Sequence, residues 1–137
     1  MSFLLDTNIV SQKTKLEPHP KAMDWLIKLP MEQAFLSVVT IQESRTGFEL
    51  LPLGKRRRGL EAWFETDVLQ GFSGRILPVT EEIADLCGRF VAIKRKLATT
   101  PDINDMLIAA TAAARGLPLA TLNEKHFKDL PVKLVEF

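Results

Sequence analysis

Short apolar runs alternate with longer segments of helical periodicity along this chain, and this alternation limits the fold more than any other feature. Parallel strands need a crossover connection of about a dozen residues or more, which a helix usually supplies. The pattern therefore predicts an α/β fold of three layers, in which helices flank a mainly parallel central sheet. The predicted strands are Phe3–Leu5, Ala34–Ser37, 75–79, 117–121 and a last short strand near 133–135.

Helical periodicity covers residues 41–51, 55–70, 81 to about 97, and 102–115. Thr40 and Thr80 stand where an N-cap is expected, because a side-chain oxygen there accepts a bond from a free backbone N–H of the first turn. Gly116 follows the alanine-rich last helix and is the expected end of it.

Composition indicates one domain, covering residues 1–137, with enough apolar material (46%) for a real core. No apolar stretch approaches the roughly 20 residues that a membrane-spanning helix needs. Cys87 is the single cysteine, so an internal disulfide is impossible, which fits a reducing compartment. We expect a cytoplasmic protein that is not inserted in a membrane.

Charge alone does not point to nucleic acid, because 18 basic and 17 acidic residues give a net charge of +1. Two local basic runs remain. Residues 55–58 (KRRR) open a helix and either follow a phosphate backbone or form a solvated helix end. Residues 94–96 are expected to be solvated, with the lining of an RNA groove as the alternative. His19 and His126 are expected in loops without acid–base partners.

Three acidic residues are predicted to lie at one end of the sheet. Asp6 follows the first strand, Glu43 lies near the first turn of the helix after the second strand, and Asp105 lies in the first turn of the alanine-rich helix. Carboxylates held together repel one another, and a hard divalent cation such as Mg²⁺ or Mn²⁺ relieves that repulsion. The alternative for Asp6 is that it only caps the next helix, and Asp102 competes with Asp105 but suits a capping position better.

The motifs around these acids resemble those of the PIN domain, and most closely the VapC-type toxins of bacterial toxin–antitoxin pairs. They are Asp6-Thr7-Asn8, Thr40-Ile41-Gln42-Glu43, residues 105–112 (DMLIAATA) and residues 116–123 (GLPLATLN). The resemblance spans essentially the whole chain and implies a Mg²⁺-dependent endoribonuclease. It also implies a homodimer, built on helical faces that include residues 55–70, and a small antitoxin protein that silences the enzyme.

The resemblance also implies a set of catalytic residues. Asp6, Glu43 and Asp105 match the three acids, and Asp6 and Asp105 match the metal ligands. At the fourth position, where family members often carry an acid, this chain has Asn123 followed by Glu124. Asn123 is expected to ligate or orient a metal-bound water through its carbonyl oxygen, Glu124 is the alternative, and a second metal ion is in doubt.

Two other functions remain open. A phosphatase of the haloacid-dehalogenase type would use Asp6 as a nucleophile, but it needs an aspartate two residues later, where this chain has Asn8. The other is a non-catalytic PIN-like protein that binds RNA or a peptide, which the departure at Asn123 keeps open.

Overall fold

A sheet of four short parallel strands forms the centre of the computed structural model, which describes all residues, 1–137. The strand order is β3-β2-β1-β4, so β1 lies inside the sheet between β2 and β4. This arrangement confirms the predicted parallel α/β fold. The strands are β1 (Phe3–Leu5), β2 (Ala34–Ser37), β3 (Ile76–Leu77) and β4 (Leu119–Ala120).

Helices connect the strands and cover both faces of the sheet. None of them has both the length and the apolar character that crossing a bilayer requires. They are α1 (Thr7–Val10), α2 (Pro20–Lys28), α3 (Val38–Leu50), α4 (Lys55–Trp63), α5 (Glu81–Lys96), α6 (Ile103–Arg115) and α7 (Glu124–Phe127), with short 3₁₀ turns at Ser11–Thr14 and Met31–Gln33.

Two hydrophobic cores lie on opposite faces of the sheet, because successive side chains of a strand point to opposite sides. Leu4 packs against α5 and α6, with Phe90 and Ile108 among its buried partners. Leu5 belongs to the second core, which includes side chains of α1 to α3 and Phe64. The helices therefore form two layers with the sheet between them.

Three helix ends match their sequence signals. The Thr80 side chain accepts a bond from the Ile83 N–H at 3.2 Å and starts α5. Asp102 caps α6, because its Oδ1 accepts from the N–H groups of Asn104 and Asp105 at 2.8 and 3.3 Å. Gly116 ends α6 with a φ of 65°, in the left-handed region that favours glycine. Asp102 is thus confirmed as a capping residue.

The start of α3 differs from the prediction. The helix begins at Val38, and its cap is Ser37, whose Oγ accepts from the Val39 N–H at 3.0 Å. Thr40 is therefore inside the helix, where it is fully buried. The strand and the helix are joined without a loop, because Ser37 ends the one with extended backbone and caps the other.

The bounds of other elements also differ from the prediction. The strands expected at 75–79 and 117–121 are only two residues long, and 133–135 makes a single bridge, Leu119 with Leu134. The helix predicted at 55–70 runs its full length, but Phe64–Gln70 is a π-helix. His19 is an exposed residue outside the helices and strands, as expected, and it also caps α2, since its Nδ1 accepts from the Ala22 N–H at 3.2 Å.

Candidate active site at the carboxyl edge of the sheet

Asp6 is held at the end of β1, at the carboxyl edge of the sheet. Its Oδ1 accepts from the Thr7 N–H at 2.7 Å, which makes it the N-cap of α1. Its Oδ2 accepts from the hydroxyl of Thr121 at 2.7 Å, and Thr121 directly follows the neighbouring strand β4. Asp6 is only 3% exposed. Capping and a place in the site are therefore compatible roles for this residue.

Thr7 connects Asp6 to Glu43. Its hydroxyl donates to Glu43 Oε1 at 2.7 Å and lies 2.9 Å from the hydroxyl of Thr40. Because a hydroxyl has one hydrogen, Thr40 must be the donor in the second contact. Glu43 lies in the second turn of α3 rather than the first, about one turn after Thr40. The ends of β1 and β2 are thereby joined through hydroxyl groups.

Asp105 forms the third corner of the site. It lies in the first turn of α6, is 7% exposed, and its Oδ2 is 2.6 Å from His126 Nδ1. An ionised carboxylate has no hydrogen to give, so the Nδ1–H of His126 is the donor. The expectation that His126 is a loop residue without such a partner is wrong: it lies in α7, which packs back onto the start of α6.

The pKa values of all three carboxyl groups are raised, in each case mainly by burial. The pKa of Asp6 rises from 3.8 to about 6, because burial and the charges of Asp105 and Glu43 outweigh the bonds from Thr121 and Thr7. The pKa of Glu43 is raised by burial and by the charges of Asp105 and Asp102. The pKa of Asp105 is raised by burial despite the His126 bond. The site therefore concentrates negative charge that the protein does not neutralise.

The donor chemistry of this site fits a hard divalent cation. Its ligating atoms are carboxylate oxygens, and a cation would relieve the repulsion that raises the pKa values of these groups. As the side chains lie, however, no group of three or more His, Cys, Asp and Glu residues is close enough together to hold a metal ion. Each carboxylate is bound instead to a protein donor, so closing a metal shell requires that some of these bonds exchange.

The structure places Asn123 beside the site but does not join it to the carboxylates. Asn123 is exposed, and its side chain makes no hydrogen bond, while its N–H donates to the Thr121 hydroxyl at 3.0 Å. Glu124 is also exposed. Asn8 holds the same segment from the other side, since its Oδ1 accepts from the Leu122 N–H at 3.2 Å. The role expected for Asn123 stays a prediction.

Sequence reasoning missed the hydroxyl groups that hold the carboxylates. Thr7 follows β1, Thr40 lies shortly after β2, and Thr121 follows β4. A threonine at or just beyond the end of three predicted strands was a signal that could have identified them. The His126 contact had no comparable local signal, because Asp105 is 21 residues away in sequence.

A groove of about 480 Å³ extends from Thr7 along α3 and α4. Apolar side chains, among them Val10 and Trp63, line it together with Lys15 and Arg56. The residues of the basic run at 55–58 therefore have different surroundings. Arg56 lines the groove, whereas Arg57 forms ion pairs with Glu49 and Glu61.

Comparisons of this chain with family models, curated proteins and solved structures agree on one family. The model of the PIN domain matches residues 3–133. The toxin FitB of Neisseria gonorrhoeae is 34% identical over 90% of this chain and 89% of its own, and the VapC ribonuclease Y4jK of Sinorhizobium fredii is 32% identical over 96% and 94%. The structure of FitAcB from Neisseria gonorrhoeae superposes with a TM-score of 0.88 at 32% identity, covering 98% of this chain and 96% of that one. The chain therefore belongs to the PIN domain family, as the motifs around Asp6, Glu43 and Asp105 predicted.

Proposed function

We propose that this protein is a Mg²⁺-dependent endoribonuclease that acts in the cytoplasm as the toxin of a toxin–antitoxin pair. The observation that carries the proposal is the convergence of three repelling carboxylates at the carboxyl edge of the sheet: Asp6 and Asp105, which are buried, and Glu43, which is half-buried. The relatives named VapC ribonuclease and toxin FitB support the substrate class and the biological role.

Asp6 and Asp105 are the proposed ligands of Mg²⁺, with Mn²⁺ as a substitute. When bound, the ion supplies an activated water and neutralises charge on the scissile phosphate. Glu43 orients the attacking water, and Asn123 is proposed to assist through its amide oxygen. Thr7 and Thr121 hold the carboxylates by donating to them. In-line attack on phosphorus breaks the bond to the 3′ oxygen and leaves 5′-phosphate and 3′-hydroxyl ends.

A small antitoxin protein is the proposed regulatory partner, and a homodimer is the proposed assembly. The groove beside Thr7 supports a peptide partner, because it combines apolar side chains with Lys15 and Arg56. Such a surface offers an extended segment both hydrophobic burial and cationic hydrogen-bond donors for its carboxylates.

The test compares the antitoxin-free protein with Asp6→Asn and Asp105→Asn on a mixture of structured RNAs, in Mg²⁺, in Mn²⁺ and in chelator. Asp24→Asn is the matched control, because Asp24 is an exposed aspartate paired only with Lys28. We expect cleavage by the parent and the control to need metal, and each site variant to lose more than about 100-fold in rate. Mapping of the product ends should give 5′-phosphates.

Cleavage that survives both site substitutions, or that proceeds in chelator, would contradict the proposal. A folded parent that binds metal and RNA but cleaves none of the RNAs would favour the binding function instead. Circular dichroism of every variant separates loss of activity from loss of fold.

A further inference from the structure

A second, smaller cavity lies at the start of α6, between Asp102 and His126. It has a volume of about 140 Å³ and is enclosed by the end of α5, the connection to α6, and α7. This volume accommodates several water molecules or one small anion. We call it the Lys94 pocket; its polar lining consists of Lys94, Thr99, Thr100, Asp102, Lys125 and His126.

Lys94 is the unusual member of this lining. The run at 94–96 was expected to be solvated, but Lys94 is only 4% exposed. Its ammonium donates to the Lys128 carbonyl oxygen at 2.6 Å and forms no ion pair. An ammonium has three hydrogens to donate, so a single neutral acceptor leaves two of them unsatisfied within the protein. Buried charges are ordinarily paired, and this one faces a cavity instead.

The rest of the lining also favours an anion. Lys125 adds a second positive charge and Thr100 adds a hydroxyl donor, whereas the Thr99 hydroxyl already donates to the Leu97 carbonyl oxygen at 3.4 Å. Asp102 is the one carboxylate, and its Oδ1 is already engaged by two backbone N–H groups at the start of α6. The pocket therefore offers several hydrogen-bond donors to a compact, multiply oxygenated anion, and the chemical group that matches this set is a phosphate.

The pocket adjoins the candidate active site through one side chain. His126 lines the pocket, and its Nδ1 is 2.6 Å from Asp105 Oδ2. A polynucleotide whose scissile phosphate lies over Asp6 and Asp105 would bring a neighbouring phosphate to this place.

We propose that the Lys94 pocket binds a backbone phosphate of the RNA strand next to the one that is cleaved. This inference rests on the proposed ribonuclease function and adds a subsite to it. Phosphate contacts position a nucleic acid without reading its sequence, so the pocket sets the register of the strand over the carboxylates.

Binding of a labelled single-stranded RNA, measured by fluorescence anisotropy in an Asp6→Asn background that prevents cleavage, tests the proposal. The test variants are Lys94→Met and Lys125→Ala, and the control is Lys96→Ala, an exposed lysine of α5 outside the pocket lining. Each test variant should weaken binding about tenfold and reduce the slope of log affinity against log salt by about one. The control should stay within about twofold of the parent.

Lys125→Ala keeps the test decisive if Lys94→Met fails to fold, because Lys125 is exposed. RNA affinity and salt slope that are unchanged in folded Lys125→Ala would overturn the proposal and leave Lys94 with only the role of binding the Lys128 carbonyl.

If the parent does not bind RNA at all, the proposed function fails, and the pocket is tested separately with inorganic phosphate and amide NMR. Shifts confined to Thr99, Thr100 and Lys125 would then support a phosphate site that serves another ligand. Their absence would overturn the pocket as well.

Discussion

At the scale of single residues, two opposing effects set the pKa values of the carboxyl groups in the candidate site. Burial raises them and hydrogen bonds from protein donors lower them. Asp6 accepts two bonds that favour its charged form, from Thr7 and Thr121, yet burial and the other two acids outweigh them. Burial and the Asp102 charge likewise outweigh the bond from Thr7 to Glu43 and the bond from His126 to Asp105, so the pKa values of these two groups are also raised. At neutral pH and without a cation, these carboxylates are charged and poorly hydrated in the folded protein. In the unfolded chain water hydrates them, so their charge disfavours folding.

This balance predicts how the stability of the metal-free protein depends on pH. The pKa of Asp6 is about 6 in the folded state against 3.8 ordinarily, so its contribution is fully present below the ordinary value and is lost as pH rises through about 6. The metal-free protein should therefore be less stable at about pH 7.5 than at about pH 5, by about 1–2 kcal/mol from Asp6, because part of the total loss of about 3 kcal/mol has already occurred below pH 5. Thermal unfolding across this range, in chelator, measures the loss.

Asp6→Asn removes the titrating group and should remove most of this pH dependence, whereas Asp24→Asn should keep it. Saturating Mg²⁺ should also raise the unfolding temperature of the parent near pH 7.5, because a ligand that binds only the folded state stabilises it. A parent protein whose unfolding temperature rises between pH 5 and 7.5 in chelator would contradict this reading of Asp6.

His126 is expected to position Asp105 for the proposed metal ion. Its Nδ1–H holds one carboxylate oxygen at 2.6 Å, which leaves the other oxygen to point elsewhere. His126→Ala should lower Mn²⁺ affinity about tenfold, as expected for an outer partner of a ligand. The fold should change little, since the His126 side chain is 53% exposed. Calorimetric titration with Mn²⁺ measures the effect.

His19→Ala is the matched control for this measurement, because His19 also forms a hydrogen bond through Nδ1, but it accepts from the Ala22 N–H and caps α2, outside the three-acid site. It should reduce stability and leave Mn²⁺ affinity unchanged. An equal Mn²⁺ affinity in His126→Ala and the parent would show that Asp105 does not need the histidine.

At the scale of elements, the π-helix that continues α4 brings the chain back to the sheet. Phe64 and Val68 bury their side chains in the second core from this segment, and Gly71 follows it. A Cβ at Gly71 would lie 2.3 Å from the Asp67 carbonyl oxygen, inside any permissible contact. The glycine is therefore required by a close backbone approach.

Gly71→Ala should accordingly destabilise the protein by about 1–3 kcal/mol, the usual cost of forcing extra volume into a packed structure. Gly88 lies in the middle of α5, where a Cβ would meet nothing within 4 Å. Gly88→Ala should stabilise by about 0.5–1 kcal/mol, because alanine suits a helix better. Denaturant unfolding of both variants checks the signs, and a stable Gly71→Ala would mean that the turn relaxes freely.

At the scale of the whole molecule, β1 joins the two cores and also carries the site. Leu4 belongs to one core, Leu5 to the other, and Asp6 follows directly. Helices on both faces of the sheet are thereby packed onto one three-residue strand. We expect the molecule to unfold as one cooperative unit.

Leu4→Ala and Leu5→Ala should each cost about 2–5 kcal/mol, because both side chains are almost completely buried (0 and 1% exposed). Both variants should retain a single unfolding transition by calorimetry. Leu53→Ala, at an 86% exposed position, should stay within about 0.5 kcal/mol of the parent. Two separate transitions in either core variant would show that the layers fold independently.

The sequence by itself determined the class of fold, the family, and three acids as candidates for the site. Periodicity of apolar residues records which face of each element is buried, and the caps at Thr80, Asp102 and Gly116 are local signals that act within one turn. Asp6 could be identified because the acid follows a buried strand directly, and Asp105 because it opens a helix with strong local signals.

Tertiary structure decided what surrounds those acids. The bonds from Thr121 to Asp6 and from His126 to Asp105 span 115 and 21 residues, and no local pattern records them. Burial of Lys94 likewise depends on α7 packing against the end of α5, not on the basic run itself. Contacts of this kind exist only when separate elements meet, and for that reason the partners that hold each carboxylate had to come from the folded molecule.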